Sequence, residues 1–221
     1  MASNDRPAPD SASPLGGRLR QERDRAGMGL RELARRLDVS PSLVSQIETG
    51  KVQPSVRTLY AMVSELGVSL DEMFAPENGA ASAPPPAAAK GGRADPTMGG
   101  REPAPGASRV QRQAERASIE LESGVRWERL TTWNDRDVDF LFTIYEVGGA
   151  SCPPGALVRH NGREFGIVVK GTLGVTVGFE EHTLEPGDSV SFASSVPHRL
   201  HNDGDEVVHA IWVVLGRHHD V

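Results

Sequence analysis

The 221-residue chain contains a single cysteine, Cys152. One thiol cannot form an intramolecular disulfide, and it excludes a zinc site built from several thiolates. Long hydrophobic runs are also missing: none approaches the ~20 apolar residues that a membrane span needs. The N-terminus lacks the charged-then-apolar pattern of a signal peptide. We therefore expect a cytoplasmic protein.

Positively charged residues are fewer than negatively charged ones in the whole chain, but they are concentrated near the N-terminus. The formal net charge is −6. Residues 15–57 nevertheless contain nine Arg or Lys against five Asp or Glu, whereas residues 109–221 contain 11 against 17. A basic N-terminal part joined to an acidic C-terminal part indicates two parts with different roles. A merely solvated charged surface would produce the same counts, so charge alone does not decide the matter.

Glycine (24) and proline (16) together exceed a sixth of the chain, so part of it is expected to be turn-rich or unstructured. The first 14 residues are polar and broken by proline, and APPPAAAKGGR and REPAPG occur between positions 76 and 108. Such segments cannot bury enough surface to offset chain entropy. The predicted organisation is a disordered tail over 1–14, a helical domain over 15–75, a flexible linker over 76–108 and a β domain over 109–217.

Helical periodicity in residues 15–75 predicts five short helices. The stretch LRELARRL places four apolar residues on one helical face: Leu30, Leu33, Ala34 and Leu37. The next helix begins about three residues later, with Ser40 as its N-cap and Pro41 at its first position. Two short helices with this separation predict a helix-turn-helix.

The segment LRELARRLDVSPSLVSQIETGKVQPSVRTL resembles the phage-repressor-type (XRE) helix-turn-helix family, and the resemblance covers roughly residues 15–75. The matching elements are Leu33-Ala34, Val39-Ser40, Ser45, Ile47-Glu48, Gly50-Lys51, Pro54-Ser55 and Leu59. The resemblance implies that the helix over residues 40–48 lies in the major groove of DNA. It also implies that Arg23 and Glu48 pair with each other and have a structural role.

The predicted recognition helix presents polar side chains to DNA once Val44 and Ile47 are buried. Gln46 occupies the position where the family places a base-reading side chain, and glutamine can pair in bidentate fashion with adenine. Phosphate contacts are expected from residues beside this helix, because they fix register rather than sequence. The predicted DNA-contacting residues are Arg31, Ser40, Pro41, Ser42, Ser45, Gln46, Thr49 and Lys51.

From about residue 119, short β-branched runs alternate with glycine-containing turns, which predicts about eight antiparallel strands in a sandwich or jelly roll. The pieces EFGIVVKGTLGVTVG, LEPGDSVSF and VPHRLHN resemble the cupin family over residues 150–214. The matching motif residues are His160, Glu164, Gly171, Gly187, His198 and Asn202. Val158 stands at the position of the family's first histidine.

The cupin resemblance implies a pocket that contains His160, Glu164 and His198. Two histidines and a carboxylate could hold Fe(II) with open coordination positions, or zinc with a bound water. Val158 instead fits a pocket that has become an organic-ligand site, and the histidines could also bind nothing and form local hydrogen bonds. The cofactor is therefore unknown, and a divalent metal is possible.

Other residues near this motif have open roles. Arg159 and Arg163 flank it and could meet an anionic ligand, unless strand alternation points both outward. Cys152 could be a redox-sensitive thiol, but inert packing is the more common role of one cysteine. Three tryptophans are expected in the core rather than in a ligand cage: Trp127, Trp133 and Trp212.

These features predict a two-domain fold, with an all-α helix-turn-helix domain and an all-β cupin domain joined by a disordered Pro/Ala/Gly linker. The predicted function is DNA-binding transcriptional regulation without enzymatic activity. The cupin domain is expected to form a homodimer, so that two recognition helices read half-sites ~34 Å apart or multiples of that distance. The expected partners are double-stranded operator DNA and a small-molecule effector, with no membrane.

Two alternatives stay open. The chain could be a cupin-type mononuclear non-haem iron oxygenase that carries a helix-turn-helix domain, with His160, Glu164 and His198 as iron ligands. The cupin could also dimerise without binding any ligand.

Overall fold

The computed structural model describes residues 14–74, 108–133, 135 and 137–216. The first range is helical and the others are mainly β-structure, which confirms the predicted two-domain class. Except for Pro14 and Ser108, the predicted tail and linker lie outside the described residues. Within the described residues, no helix has the length and apolar character to cross a membrane.

The N-terminal unit contains the five predicted helices, of which the last is a 3-10 helix. They are α1 (Pro14–Arg25), α2 (Leu30–Arg36), α3 (Pro41–Glu48), α4 (Val56–Leu66) and the 3-10 helix Leu70–Phe74. The Ser40 hydroxyl accepts a hydrogen bond from the backbone N–H of Leu43 at 3.1 Å and so caps α3. Asp38 has a φ of 54° in the turn before it, a conformation that aspartate tolerates better than most residues.

The helical core is formed by the apolar faces that the periodicity predicts. Leu33, Ala34, Val44 and Leu59 are fully buried. The helix α1 approaches α3 so closely that a Cβ at Gly16 would lie 2.2 Å from the carbonyl oxygen of Ile47. Glycine is therefore required at that crossing, and it brings α1 close enough to support the predicted recognition helix.

The described part of the C-terminal unit contains nine strands: β1 (Ser118–Leu121), β2 (Val125–Arg129), β3 (Val138–Tyr145), β4 (Arg163–Lys170), β5 (Leu173–Val177), β6 (Glu180–Leu184), β7 (Ser189–Ala193), β8 (His198–His201) and β9 (Val208–Leu215). They form a six-stranded sheet of order β1-β2-β3-β9-β4-β7 and a three-stranded sheet of order β6-β5-β8. All pairs are antiparallel.

Burial alternates along β4, so that Glu164, Gly166 and Val168 face the interior and the residues between them face outward. Strand β9 alternates in the same way. The alternation follows from the two-residue repeat of a strand. It carries the motif glutamate into the barrel.

The two domains are in contact through α4, the 3-10 helix and the first strands of the cupin. The Tyr60 ring on α4 lies 5.2 Å from the Trp127 ring on β2, measured between centroids. The backbone N–H of Glu122 donates to the Pro54 carbonyl at 3.0 Å. The backbone N–H of Asp135 donates to the Asp71 carboxylate at 2.6 Å. The helical domain thus lies against the mouth of the cupin barrel.

Candidate functional site

The outward side of α3 carries the polar residues that the sequence predicts for DNA contact. Val44 and Ile47 are buried, whereas Ser42 and Gln46 are exposed and Ser45 is half-buried. An exposed polar strip on a helix that is anchored from behind is the arrangement by which helix-turn-helix proteins reach base edges.

A buried ion pair fixes α3 to α1. The Arg23 guanidinium donates to the Glu48 carboxylate twice, from Nε at 2.6 Å and from Nη2 at 2.9 Å. The two residues are only 7% and 5% exposed. The hydrogen bonds to Glu48 raise the pKa of Arg23, although burial opposes this effect. The expected structural role of this pair agrees with its geometry.

The remaining predicted DNA contacts lie at the ends of α3 or on its neighbour. Arg31 on α2 and Lys51 after α3 are both exposed. The Thr49 hydroxyl donates to the Ser45 carbonyl at 2.8 Å, and the Ser40 hydroxyl is used as the cap, so both have a part in shaping the helix. Pro41 is exposed at the first position of α3. Their DNA contacts stay predictions.

The cupin domain brings His160, Glu164 and His198 together. Glu164 projects inward from β4, His160 lies in the loop before it, and His198 begins β8. The two histidine Nε2 atoms lie 3.0 Å and 3.1 Å from the same Glu164 oxygen, Oε1. The other oxygen, Oε2, accepts a hydrogen bond from the Trp212 indole at 2.7 Å. The three residues have one potential ligand atom each within 4.8 Å of one another.

The backbone orients both imidazole rings. His160 Nδ1 lies 2.9 Å from the Asn161 carbonyl oxygen, and His198 Nδ1 lies 2.9 Å from the Val196 carbonyl oxygen. A carbonyl can only accept, so each Nδ1 carries the proton and a neutral ring turns its Nε2 lone pair toward Glu164. This second hydrogen bond is the usual support of a metal-binding histidine.

The charge in this cluster calls for a cation. Burial raises the pKa of the Glu164 carboxyl, but His160 and His198 together lower it below its ordinary value. Burial lowers the pKa of His198, but Glu164 raises it to a larger extent. Glu164 is therefore an anion only 3% exposed, and the facing Nε2 atoms need either protons or a metal ion between them and the carboxylate.

The cluster fits a divalent metal ion. Among the described residues, His160 Nε2 and Glu164 Oε1 are buried and lack a hydrogen-bond partner of acceptable geometry. Ligand atoms at right angles around an ion, each ~2.1 Å from it, stand about 3 Å apart, which agrees with the two distances above. Such an ion would supply Lewis acidity or redox chemistry. Val158 is 3% exposed and offers no fourth ligand.

The other residues considered near the motif have different surroundings in the structure. Arg159 lines a cleft beside the cluster, whereas Arg163 is exposed on β4 with its guanidinium 5.9 Å from the Phe165 ring centroid. Cys152 is fully buried, its thiol donates to the Ala156 carbonyl at 3.1 Å, and burial raises its pKa, as inert packing requires. Trp127 is in the core as expected, whereas Trp133 is only half-buried, so the expectation for Trp133 was wrong.

Two features of this site were not predicted from the sequence. Trp212 is buried as expected, yet its indole also holds Glu164, and it reaches that position because Gly166 has no side chain. Tyr60 of the helical domain has its ring 4.6 Å from that of His160. A long-range contact of this kind leaves no signal in local periodicity.

Comparisons with known proteins agree with the two domains. Residues 14–74 match the family model described as a helix-turn-helix domain, and residues 141–214 match the one described as a cupin domain. The HTH-type transcriptional regulator PuuR of Escherichia coli (strain K12) is 26% identical over 196 residues, which are 87% of this chain and 90% of PuuR.

A second relative in the same organism, the HTH-type transcriptional regulator SutR, is also 26% identical over 196 residues, which are 86% of this chain and 88% of SutR. A crystal structure of an HTH_3 family transcriptional regulator from Vibrio cholerae superimposes with a TM-score of 0.59 at 17% identity. That similarity covers 92% of this chain and 95% of the other, and it shows a shared fold.

The family matches identify a helix-turn-helix domain and a cupin domain, and the two relatives that match most of the chain are HTH-type transcriptional regulators. This domain composition agrees with the resemblance to a phage-repressor-type helix-turn-helix followed by a cupin that the motif residues carry.

Proposed function

We propose that this regulator works in the cytoplasm as a homodimer, reads a two-part operator through α3, and responds to a small molecule through its cupin domain. The observation that carries the proposal is the exposed polar face of α3, held from behind by the buried Arg23–Glu48 pair. One such domain buries only ~600–1,000 Å² on DNA, so tight specific binding requires a second copy.

A candidate dimer surface lies on the outside of the six-stranded sheet. Register places apolar outward side chains side by side across β3, β9 and β4. We call this the outer sheet face, and its residues are Phe140, Phe142, Phe165, Ile167, Val169, Ile211, Val213 and Leu215. Four of them are large hydrophobic side chains between 37% and 50% exposed. A contiguous apolar patch of this kind usually marks an interface, and symmetric DNA reading makes a second copy of the chain its occupant.

Sedimentation velocity of the full chain tests this interface. Ile167→Glu places a charge at the centre of the outer sheet face and should convert the dimer to a monomer, with at least a tenfold loss in operator affinity. Val147→Glu is the matched control, because Val147 is 57% exposed in a loop outside the sheet. A wild-type chain that is monomeric at micromolar concentration, or equal effects of both variants, would contradict the proposed dimer.

The proposed sensing function rests on the contact between the histidine cluster and the DNA-binding domain. Because the Tyr60 ring packs at a tilt against the His160 ring, a change in the occupancy of the cluster would alter the packing of α4. We propose that the cluster holds a divalent metal ion through His160, Glu164 and His198.

Metal analysis of tag-free protein, purified anaerobically without chelator, tests the metal proposal. Near one equivalent of a divalent metal per chain is expected, and His198→Ala should remove it. His182→Ala is the matched control, since His182 is exposed on β6 away from the cluster. Absence of metal after reconstitution with Fe(II), Mn(II) and Zn(II) would overturn it.

A further inference from the structure

The barrel interior and the domain boundary offer cavities of very different size. Inside the barrel, beside Glu164 and His198, the free volume is only about 20 Å³, enough for one water molecule or ion. Tyr60 lines this space. Outside it, a cleft of about 630 Å³ lies between the two domains. That volume falls within the ~300–1,000 Å³ typical of small-molecule pockets.

We call this space the interdomain cleft. Its helical wall is formed by the end of α2 and one side of α4, and its cupin wall by the segment 157–161 with Pro197. Tyr60 and Val158 line both the cleft and the barrel cavity. An organic effector of ordinary size therefore fits beside the histidine cluster rather than inside the barrel.

The charge of the interdomain cleft is positive although the whole chain is acidic. Three arginines and one glutamate line it: Arg36, Arg57, Arg159 and Glu65. The glutamate is already engaged, because Arg36 Nη1 lies 2.6 Å from its carboxylate. Among the described residues, Arg57 and Arg159 have no ion-pair or hydrogen-bond partner, so both guanidinium groups are available to a ligand.

We propose that the interdomain cleft binds an aliphatic dicarboxylate, with one carboxylate held by Arg57 of the DNA-binding domain and the other by Arg159 of the cupin. A guanidinium presents paired N–H donors that match a carboxylate, which makes arginine the residue suited to this recognition. The inference rests on the proposed regulatory function and adds the chemical class of the effector.

A ligand held in this way connects the two domains. Arg57 lies in the first turn of α4, the helix that also carries Tyr60 onto His160. Binding would therefore fix the DNA-binding domain against the cupin and change how freely two recognition helices can reach their half-sites. The coupling between ligand and DNA is reciprocal, so operator DNA must alter dicarboxylate affinity by the same factor.

Isothermal titration of the full chain with a panel of aliphatic dicarboxylates of two to six carbons tests the proposal, with succinamide as the neutral analogue. At least one dicarboxylate is expected to bind at one site per chain. Succinamide, which has no charge, is expected not to bind. Arg57→Gln and Arg159→Gln should each weaken binding at least tenfold. Arg163→Gln is the matched control, because Arg163 is an exposed arginine four residues from Arg159 that does not line the cleft.

Parallel DNA measurements separate the possible failures. If no dicarboxylate binds, or if Arg163→Gln matches the two cleft variants, the inference is wrong. If no dicarboxylate binds while Arg57→Gln alone weakens binding to DNA of any sequence, Arg57 contacts a phosphate instead. If a dicarboxylate binds as proposed but the chain selects no DNA sequence, the regulatory function fails and the cleft site stands.

Discussion

The buried ion pair between α1 and α3 makes a quantitative prediction about the DNA-binding domain. Glu48→Gln preserves the shape of the side chain but removes the buried counter-charge of the Arg23 guanidinium, which keeps only the exposed Asp24 carboxylate, 2.7 Å from its Nη1. Removal of one partner of a buried pair costs about 3–5 kcal/mol. Because glutamine can still accept one hydrogen bond from Arg23, the lower end of this range, about 3 kcal/mol, is expected.

That cost is large for a unit of this size. At ~0.05–0.15 kcal/mol per residue, a helical domain over residues 14–74 is stable by only about 3–9 kcal/mol. With a urea m-value of about 1 kcal/mol/M for so small a unit, the midpoint should fall by about 3 M. The N-terminal domain of Glu48→Gln should therefore keep only about 0–6 kcal/mol of stability at room temperature.

The chain has convenient probes for this measurement. Its three tryptophans lie at positions 127, 133 and 212, all in the cupin domain, whereas the described α-helices all lie in the N-terminal domain. Circular dichroism at 222 nm therefore follows the helices. Tryptophan fluorescence follows the cupin, together with the contact that Trp127 makes with Tyr60 of the helical domain. The midpoint followed at 222 nm should fall, while the transition of the cupin itself should stay in place.

The matched control is Glu32→Gln on α2, where the carboxylate pairs with Arg35 and Arg36 on the protein surface. Exposed pairs contribute little, so no measurable shift is expected. A midpoint change below 1 M for Glu48→Gln, or equal changes for both variants, would refute the argument that the buried pair holds α3 in place.

Three further predictions concern burial. Burial raises the pKa of the Asp71 carboxyl to about 7, so the folded state binds a proton that the unfolded chain releases near pH 4. Stability should fall by up to about 1.4 kcal/mol per unit as the pH rises through this range, and Asp71→Asn should abolish that slope in thermal melts between pH 5 and 8. Gly166→Ala would place a Cβ 1.9 Å from the Trp212 ring. The substitution should therefore destabilise the cupin by at least ~1–3 kcal/mol and alter its tryptophan fluorescence. An unchanged fluorescence spectrum would contradict this prediction. The buried Cys152 thiol should react with a disulfide reagent only in denaturant, and rapid labelling of the folded chain would show that it is accessible.

Much of the helical domain could be predicted because its signals are local. Capping by Ser40, proline at the start of α3 and apolar residues at helical spacing are all visible within a few residues of one another. Strand alternation likewise offered the outward direction for Arg163, which is exposed on β4. In each case the sequence separation is short and the physical rule is periodic.

Other features could not be predicted because they depend on distant packing. Strand β6 has the sequence EEHTL and lies exposed at the edge of its sheet, so no apolar alternation marks it. Its first residues are the charged Glu180 and Glu181. The docking of Tyr60 on His160 joins residues a hundred positions apart, and no local pattern encodes that contact.

Selection of DNA from a random double-stranded library by the full chain tests the central claim most directly. The account predicts enrichment of an inverted repeat whose half-site centres are ~34 Å, or a multiple of that distance, apart. Gln46→Ala should relax the preference at one base pair per half-site, at a cost of about 1–3 kcal/mol. Failure to enrich any sequence, or the same motif with undiminished affinity for Gln46→Ala, would contradict the assignment of α3 as the helix that reads DNA.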